Sequence, residues 1–261
     1  MNIKCRASGL APTCMVIVCT IRSSKMHGGG PPVTPGAPLA KEYKEENLEL
    51  LEAGLPNLQR HIESAAKFGV PVIVAVNQFA DDTPAEMELL TKLSLEAGAE
   101  MAVVSDHFAN GGAGAVDLAK AVEAVCAKER LKAESGFKFL YDLKGTTIKQ
   151  KIESIAMEIY GADGCDYTPE VEKKIADYTR LGYDELPICM AKTQYSFSAD
   201  ATAKGAPTGF RIPISEIRAS VGAGFIIPIV GTMSGMPGLP TRPALYDIEL
   251  DLDTGKVLGL F

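Results

Sequence analysis

The sequence predicts an α/β fold, a mostly parallel sheet with flanking helices, followed by a smaller mixed or antiparallel C-terminal section. Three observations predict it. Two apolar, β-branched runs, residues 14–19 and 71–76, have the near-continuous hydrophobicity of strands covered on both faces. Between them Leu48, Leu51, Leu55, Leu58, Ile62 and Ala65 recur at three- and four-residue steps, the spacing of an amphipathic helix. The last third, by contrast, shows strand-like runs with no helix between them.

In order, residues 1–12 carry the cations Lys4 and Arg6 and then Pro12. The strand predicted over 14–19 leads into Thr20-Ile-Arg-Ser-Ser-Lys-Met-His-Gly-Gly-Gly30 and a proline-rich connection over 31–40. The helix expected over 40–68 contains Gly54 and Pro56, which are positioned to break it in two. It feeds the strand at 71–76, giving a right-handed β-α-β crossover. A helix over 84–97, a strand over 101–104, a glycine-rich loop over 105–114 and a helix over 115–128 repeat the unit.

The texture then changes, through a charged stretch and Phe137-Lys-Phe-Leu-Tyr141. Helices are expected over 146–160, with isoleucines on one side, and from the N-cap Thr168 to about Leu181, stopped by Gly182. Strands are expected at 187–191, 210–214, 221–230 and 244–252, with a glycine–proline loop over 231–240. Asp253-Thr-Gly-Lys256 reads as a hairpin turn into residues 257–261.

Ligands of open α/β sheets collect beyond the carboxyl ends of the strands, and three such ends carry chemistry. After the first strand, Arg22, Lys25 and His27 gather beside Gly28, Gly29 and Gly30. That is either an anion site, with glycine N–H groups turned towards the ligand, or a turn with solvated cations. After the second strand come Asn77, Phe79 and Asp82, as a ligand edge or as an ordinary loop with an N-cap at Asp82 or Thr83. After the third stands Phe108. Phe79 and Phe108 could sandwich a flat heterocycle, or be core. His61 reads as a surface or boundary residue.

A net charge of −7 gives no basic surface for nucleic acid or anionic membrane. The 46% hydrophobic and 23% charged composition is that of a globular chain with ample core. Six scattered cysteines, with no CxxC, read as reduced thiols in buried positions and point to a reducing, cytoplasmic setting. No run approaches the roughly 18 apolar residues of a membrane span.

Several segments together resemble formate–tetrahydrofolate ligases. Val18-Cys-Thr-Ile-Arg-Ser-Ser-Lys-Met-His-Gly-Gly29 is similar to the family pattern V-A-T-[IV]-R-A-L-K-x-[HN]-G-G. Val76-Asn-Gln-Phe-Ala-Asp-Asp-Thr83, His107-Phe-Ala-Asn-Gly-Gly-Ala-Gly-Ala115, Leu186-Pro-Ile-Cys-Met-Ala-Lys-Thr193, Met236-Pro-Gly-Leu-Pro240 and the terminal Gly-Leu-Phe261 extend the likeness over essentially the whole chain.

The resemblance implies a core like that of P-loop NTPases. It implies synthesis of 10-formyltetrahydrofolate from formate and tetrahydrofolate, with ATP and Mg²⁺, through formyl phosphate and assisted by a monovalent cation. Arg22, Lys25 and His27 are then the catalytic candidates. Gly28, Gly29, Asn77 and Asp82 become candidates for the nucleotide and its phosphates, and Phe79 and Phe108 for stacking the folate ring. Residues 1–130 become a partial nucleotide- and folate-binding core, and 131–261 a C-terminal α+β section.

The chain departs from the family in three ways. Cys19, Ser23 and Ser24 replace Ala and Ala-Leu, Phe108 stands for a tryptophan, and no G-x-x-x-x-G-K-[ST] occurs in the 261 residues. The expectation is therefore a C-terminal half without the P-loop segment. It would supply the folate side of a site completed by a missing N-terminal half or by a homo-oligomer, with small-molecule substrates. A folate-binding or subunit-interaction remnant without turnover is the alternative.

Overall fold

The computed structural model describes residues 1–33, 38–231, 242–255 and 257–259. The Met236–Pro240 motif, the glycine–proline loop beyond Gly231, the middle of the proline-rich connection, Lys256 and the terminal Leu-Phe lie outside the described residues.

A short helix α1 (Lys4–Ser8) precedes strand β1 (Met15–Cys19) and helix α2 (Ile21–His27). The long helix expected next is two, α3 (Leu48–Ala53) and α4 (Leu55–Ala66), divided at Gly54 with Pro56 in the first turn of the second. Strand β2 (Val72–Asn77), helix α5 (Pro84–Glu96), strand β3 (Met101–Ser105), a one-turn helix α6 (His107–Asn110) and helix α7 (Val116–Arg130) follow. The glycine-rich stretch expected as a loop is thus helical, α6 continuing into a 3₁₀ turn over Gly111–Ala115.

The three strands form a parallel sheet in the order β1-β2-β3. Cys19 pairs with Val76 and Asn77 with Ser105, so the strand ends are level and their loops share one rim. Central β2 is covered on both faces. Val72, Val74 and Val76 meet Leu51, Leu58, Ile62 and Leu90 from α3, α4 and α5, and Ile73 meets Ala121 and Val125 from α7. Burying each of these four β2 side chains contributes about 1.5–3 kcal/mol, an upper bound.

Strand β1 departs from the expectation of a strand buried like β2. It is an edge strand with one covered face, and Val16 and Val18 point outward, 39% and 66% exposed. The reason is positional: α7 packs on β2 and β3 and stops short of β1.

A second core is built from α8 (Ile148–Ile155), β4 (Cys165–Tyr167), α9 (Pro169–Arg180), β5 (Ile212–Ser220) and β6 (Phe225–Val230). Ile148, Ile152, Ile175, Ile212, Ile217 and Ile226 are among its buried residues. Its sheet is mixed, β4 parallel and β6 antiparallel to β5. After Ile155 the expected helix widens into a π turn over Ala156–Tyr160, ended by left-handed Gly161.

The strand expected at 187–191 is only two isolated bridges to β6, at Ile188 and Ala191; Pro187 offers no N–H to a longer ladder. Residues 221–224 form a tight 3₁₀ turn with Gly224 at φ 77, so the last long strand begins at Phe225. In place of a strand over 244–252, a 3₁₀ turn (Ala244–Tyr246) precedes the two-residue strand β7 (Glu249–Leu250), which pairs with β8 (Val257–Leu258).

The two cores meet where Ser64 of α4 donates to the Ile159 carbonyl at 3.2 Å and Asn57 donates to the Gly205 carbonyl at 2.9 Å. No described helix is long and apolar enough to cross a membrane. All six cysteines are free; Cys19, in an apolar run, and Cys165, between Gly164 and Asp166, are buried, and the other four are half-buried.

Candidate functional site

The rim beyond β1, β2 and β3 is built by the connections into α2, α5 and α6, the first and third of them a single residue long. Thr20 closes a capping box with Ser23, accepting the Ser23 N–H at 3.0 Å, so α2 begins one residue after the strand. That places Arg22 in the first turn of α2. Its guanidinium carbon lies 4.1 Å from the centroid of the Phe79 ring, and Nη2 is 3.5 Å from Asp81 Oδ2.

Phe79 is held by a local loop of two hydrogen bonds. Its N–H donates to Asp82 Oδ2 at 2.8 Å, and its carbonyl accepts the Asp82 N–H at 3.1 Å. The helix cap is Thr83, which accepts the Glu86 N–H, leaving Asp82 to shape the turn.

Three buried polar atoms in this region have no partner among the described residues: Arg22 Nε, Asn77 Oδ1 and Asp82 Oδ1. Orphaned buried groups cost about 1–3 kcal/mol each, and native chains keep few of them. Burial pushes the Asp82 carboxyl above its usual range, against the pull of the Phe79 N–H and of Arg22. The site thus combines an aromatic face and a cation with two oxygens closed to solvent, which a flat, donor-bearing ring reaches only by displacing what covers them.

The other candidates separate. Lys25 is fully buried; its Nζ lies 2.5 Å from Glu86 Oε1 and donates to the Glu45 carbonyl at 2.7 Å. It faces the interior, so its expected exposure to an anion is not what the fold provides. His27 is not a cation at neutral pH. Burial first, then the charges of Lys204 and His61, lower its pKa to about 4, and its Nδ1 accepts the Gly205 N–H at 3.2 Å.

The glycine triplet does not aim its N–H groups at a ligand either. Gly28, Gly29 and Gly30 donate to the carbonyls of Ser24, Met26 and Lys25, closing the C-terminus of α2. What Gly28 supplies is close approach: a Cβ there would sit 2.0 Å from the Leu50 carbonyl oxygen, and one on Gly54 would sit 1.8 Å from that of Ser24. Phe108 stands on α6, 89% exposed, at the same rim as Phe79.

Sequence reasoning missed a neighbouring cleft of about 910 Å³, lined by Arg22, Met26, Gly30, Tyr43, Tyr195 and Lys204. Lys204 and Tyr195 come from an irregular segment with no spacing signal, and Tyr43 from a single 3₁₀ turn. Among the described residues, no three His, Cys, Asp or Glu side chains form a metal cradle.

A family model described as formate–tetrahydrofolate ligase matches residues 1–261. The chain belongs to the formate–tetrahydrofolate ligase family. It is 55% identical over 260 residues to the formate–tetrahydrofolate ligase of Arabidopsis thaliana, covering 100% of this chain and 40% of that protein. It is equally 55% identical to the cytoplasmic C-1-tetrahydrofolate synthase of Homo sapiens, covering 27% of that protein. The mitochondrial monofunctional C1-tetrahydrofolate synthase of Bos taurus is 55% identical, with 26% covered. The chain therefore spans well under half the length of these relatives.

Against the formate–tetrahydrofolate ligase signature, the substituted serines have work of their own. Ser23 Oγ donates to the Thr20 carbonyl at 2.9 Å, and buried Ser24 donates to the same carbonyl at 3.2 Å. Polar side chains at these positions are thus satisfied within the first turn of α2 rather than left unpaired.

Proposed function

We propose that this chain supplies the folate-side wall of a formate–tetrahydrofolate ligase, acting in ATP-dependent formation of 10-formyltetrahydrofolate. The observation that carries the reading is the contact of Arg22 with Phe79 beside the unpartnered oxygens of Asn77 and Asp82. A reduced pterin has a flat face for Phe79 and ring N–H and amino donors for two acceptors. Phe108 is a second stacking surface. The exposed part of Arg22 is placed to stabilise the charge of formyl phosphate as the folate amine attacks the formyl carbon and phosphate leaves.

Lys25 is a positioning residue in this reading: through Glu86 it ties α2 to α5 and so fixes Arg22 over Phe79. His27, neutral, braces the segment around Gly205. ATP is the co-substrate, and its phosphate cradle is sought in the greater length that the relatives have. Among the described residues no three His, Cys, Asp or Glu side chains gather to hold Mg²⁺, and none of these roles passes through a metal ion. Cytoplasmic placement is part of the proposal, prompted by the names of relatives such as the human one.

The test is production of 10-formyltetrahydrofolate from formate, ATP and tetrahydrofolate. The chain is assayed alone and with a fragment bearing the family's P-loop segment. Turnover in either arm supports the ligase. Tetrahydrofolate binding without turnover in both leaves a folate-binding module, and neither binding nor turnover ends the reading.

A further inference from the structure

Two cysteines from distant parts of the chain meet at the end of the first sheet opposite the rim. Cys14 Sγ lies 3.7 Å from Cys126 Sγ, although the two stand 112 positions apart. Among the described residues no other two cysteine sulfurs touch.

Strand geometry puts them there. Side chains alternate across a strand, so Cys14, one step before β1, falls on the same face as Val16 and Val18. That is the face α7 covers on the neighbouring strands, and Cys14 packs there with Ile73, Ala121 and Val125. Cys126 follows Val125 in the last turns of α7. Lys128, half a turn further on, pairs with Glu100 just before β3 at 2.5 Å and anchors that end of the helix. The contact therefore belongs to the strand starts, whereas Arg22 and Phe79 belong to the strand ends.

We propose that Cys14 and Cys126 form a reversible disulfide site, closed by a small organic disulfide such as oxidised glutathione. The sulfurs already touch, and a bond of about 2.05 Å needs only rotation of two short side chains. Both are thiols in the resting chain, the state that a reducing setting maintains. Both are half-buried, and so within reach of a small oxidant.

The exchange runs in two steps. The Cys126 thiolate attacks one sulfur of the oxidant, forming a mixed disulfide and expelling one small thiolate. Cys14 then loses its proton and attacks the Cys126 sulfur, expelling the second. Two protein thiols are oxidised and one small disulfide is reduced to two thiols. The protons lost by the cysteines pass through solvent to the expelled thiolates. The order follows from burial, which with the neighbouring Cys126 pushes the Cys14 thiol up to about 11. A thiol that ionises so late is a poor first nucleophile.

The bond changes how the sheet is held. β1 is joined to the sheet on one side only, by β2, and Val16 and Val18 are uncovered. The crosslink fastens the start of β1 to the helix that lies on β2 and β3, and closing so long a loop restricts the unfolded chain. The rim is left as it is. The site is independent of the ligase reading, since its readout needs neither ATP nor folate.

The test compares the full chain reduced with dithiothreitol and the same chain incubated with excess oxidised glutathione. Thiols counted in denaturant should fall from six to four, the intact mass should drop by two hydrogens, and peptide mapping should find Cys14 joined to Cys126. The crosslinked chain should melt about 5–10 °C higher, and dithiothreitol should reverse the rise. Cys14→Ser should trap glutathione on Cys126, because nothing is left to displace it. If that variant does not fold, the peptide map of the unaltered chain decides alone. Six thiols remaining after oxidation would overturn the proposal. So would glutathione left on Cys126 of the unaltered chain, a bond mapped to a different pair instead, or a crosslinked chain that melts no higher.

Discussion

Lys25 and Glu86 form an ion pair 2.5 Å long with both side chains closed to solvent. Glu86 Oε1 also accepts the Asn47 N–H at 2.9 Å, and Oε2 accepts the Thr83 N–H at 3.2 Å. One carboxylate thereby fixes α2, the start of α3 and the cap of α5. Its charged form is favoured because the Lys25 ammonium and these N–H groups outweigh the burial that opposes it. Lys25→Met or Glu86→Leu alone should cost about 3–5 kcal/mol in chemical denaturation, because each strands a buried charge. The double variant should recover much of that loss, short of the capping and backbone bonds that Glu86 makes.

Asp82→Asn separates stability from binding. A carboxyl with a raised folded pKa favours its protonated form, so it removes stability progressively as pH rises from its unfolded to its folded pKa. The amide keeps the Phe79 N–H bond without the charge. Thermal melts near neutral pH should show Asp82→Asn at or above wild-type stability. Calorimetric titration should show tetrahydrofolate bound about 10–100-fold more weakly, through loss of a charged acceptor.

Phe79→Ala should weaken tetrahydrofolate only about twofold, because the stack it offers is offset by the Arg22 contact the incoming ring displaces. Phe108→Ala should weaken it about tenfold, roughly the worth of one aromatic stack, with little change in melting temperature, since that ring is already exposed. Unchanged affinity in both variants would remove the stacking pair.

His27 imposes a pH dependence of definite sign. Its folded pKa, about 4, lies below the ordinary 6.5, so the unfolded chain binds the extra proton first. Its contribution is whole above pH 6.5 and is lost as pH falls towards 4. Denaturation midpoints of His27→Gln should therefore fall less than wild type across that window.

Gly28 is required by space, not by its backbone angle, which is an ordinary helical φ of −78. Gly28→Ala should cost about 3 kcal/mol, because the Leu50 carbonyl cannot move without moving α3. Gly29→Ala meets no neighbour and has only a φ of 104 to overcome, so about 1 kcal/mol is expected. Urea titrations of the two variants give the comparison.

Much of the first core was legible because local pattern and tertiary position agree there. Residues 71–76 are apolar throughout and central, and Thr83 there and Thr168 in the second core are good caps and do cap. β1 misled because an apolar run does not say whether a neighbour covers it. The short strands after 187 were overread, because proline and glycine set the pairing limits there.

In the site, the placing of Arg22 and Phe79 beyond neighbouring strand ends was readable, but the contact between them depends on the strand register. The partners of Lys25 and His27 were not readable, since Glu86 and Gly205 lie 61 and 178 residues away along the chain. A cluster of basic letters cannot reveal which of them turns inward.

The guanidinium resting on Phe79 also acts as a placeholder. A ring arriving on that face exchanges one π contact for another and gains only the difference, about 1 kcal/mol less than on a bare ring. Asp81 offers the displaced Arg22 somewhere to swing without leaving the rim. Such an arrangement favours quick turnover of occupants over a long grip on any one of them.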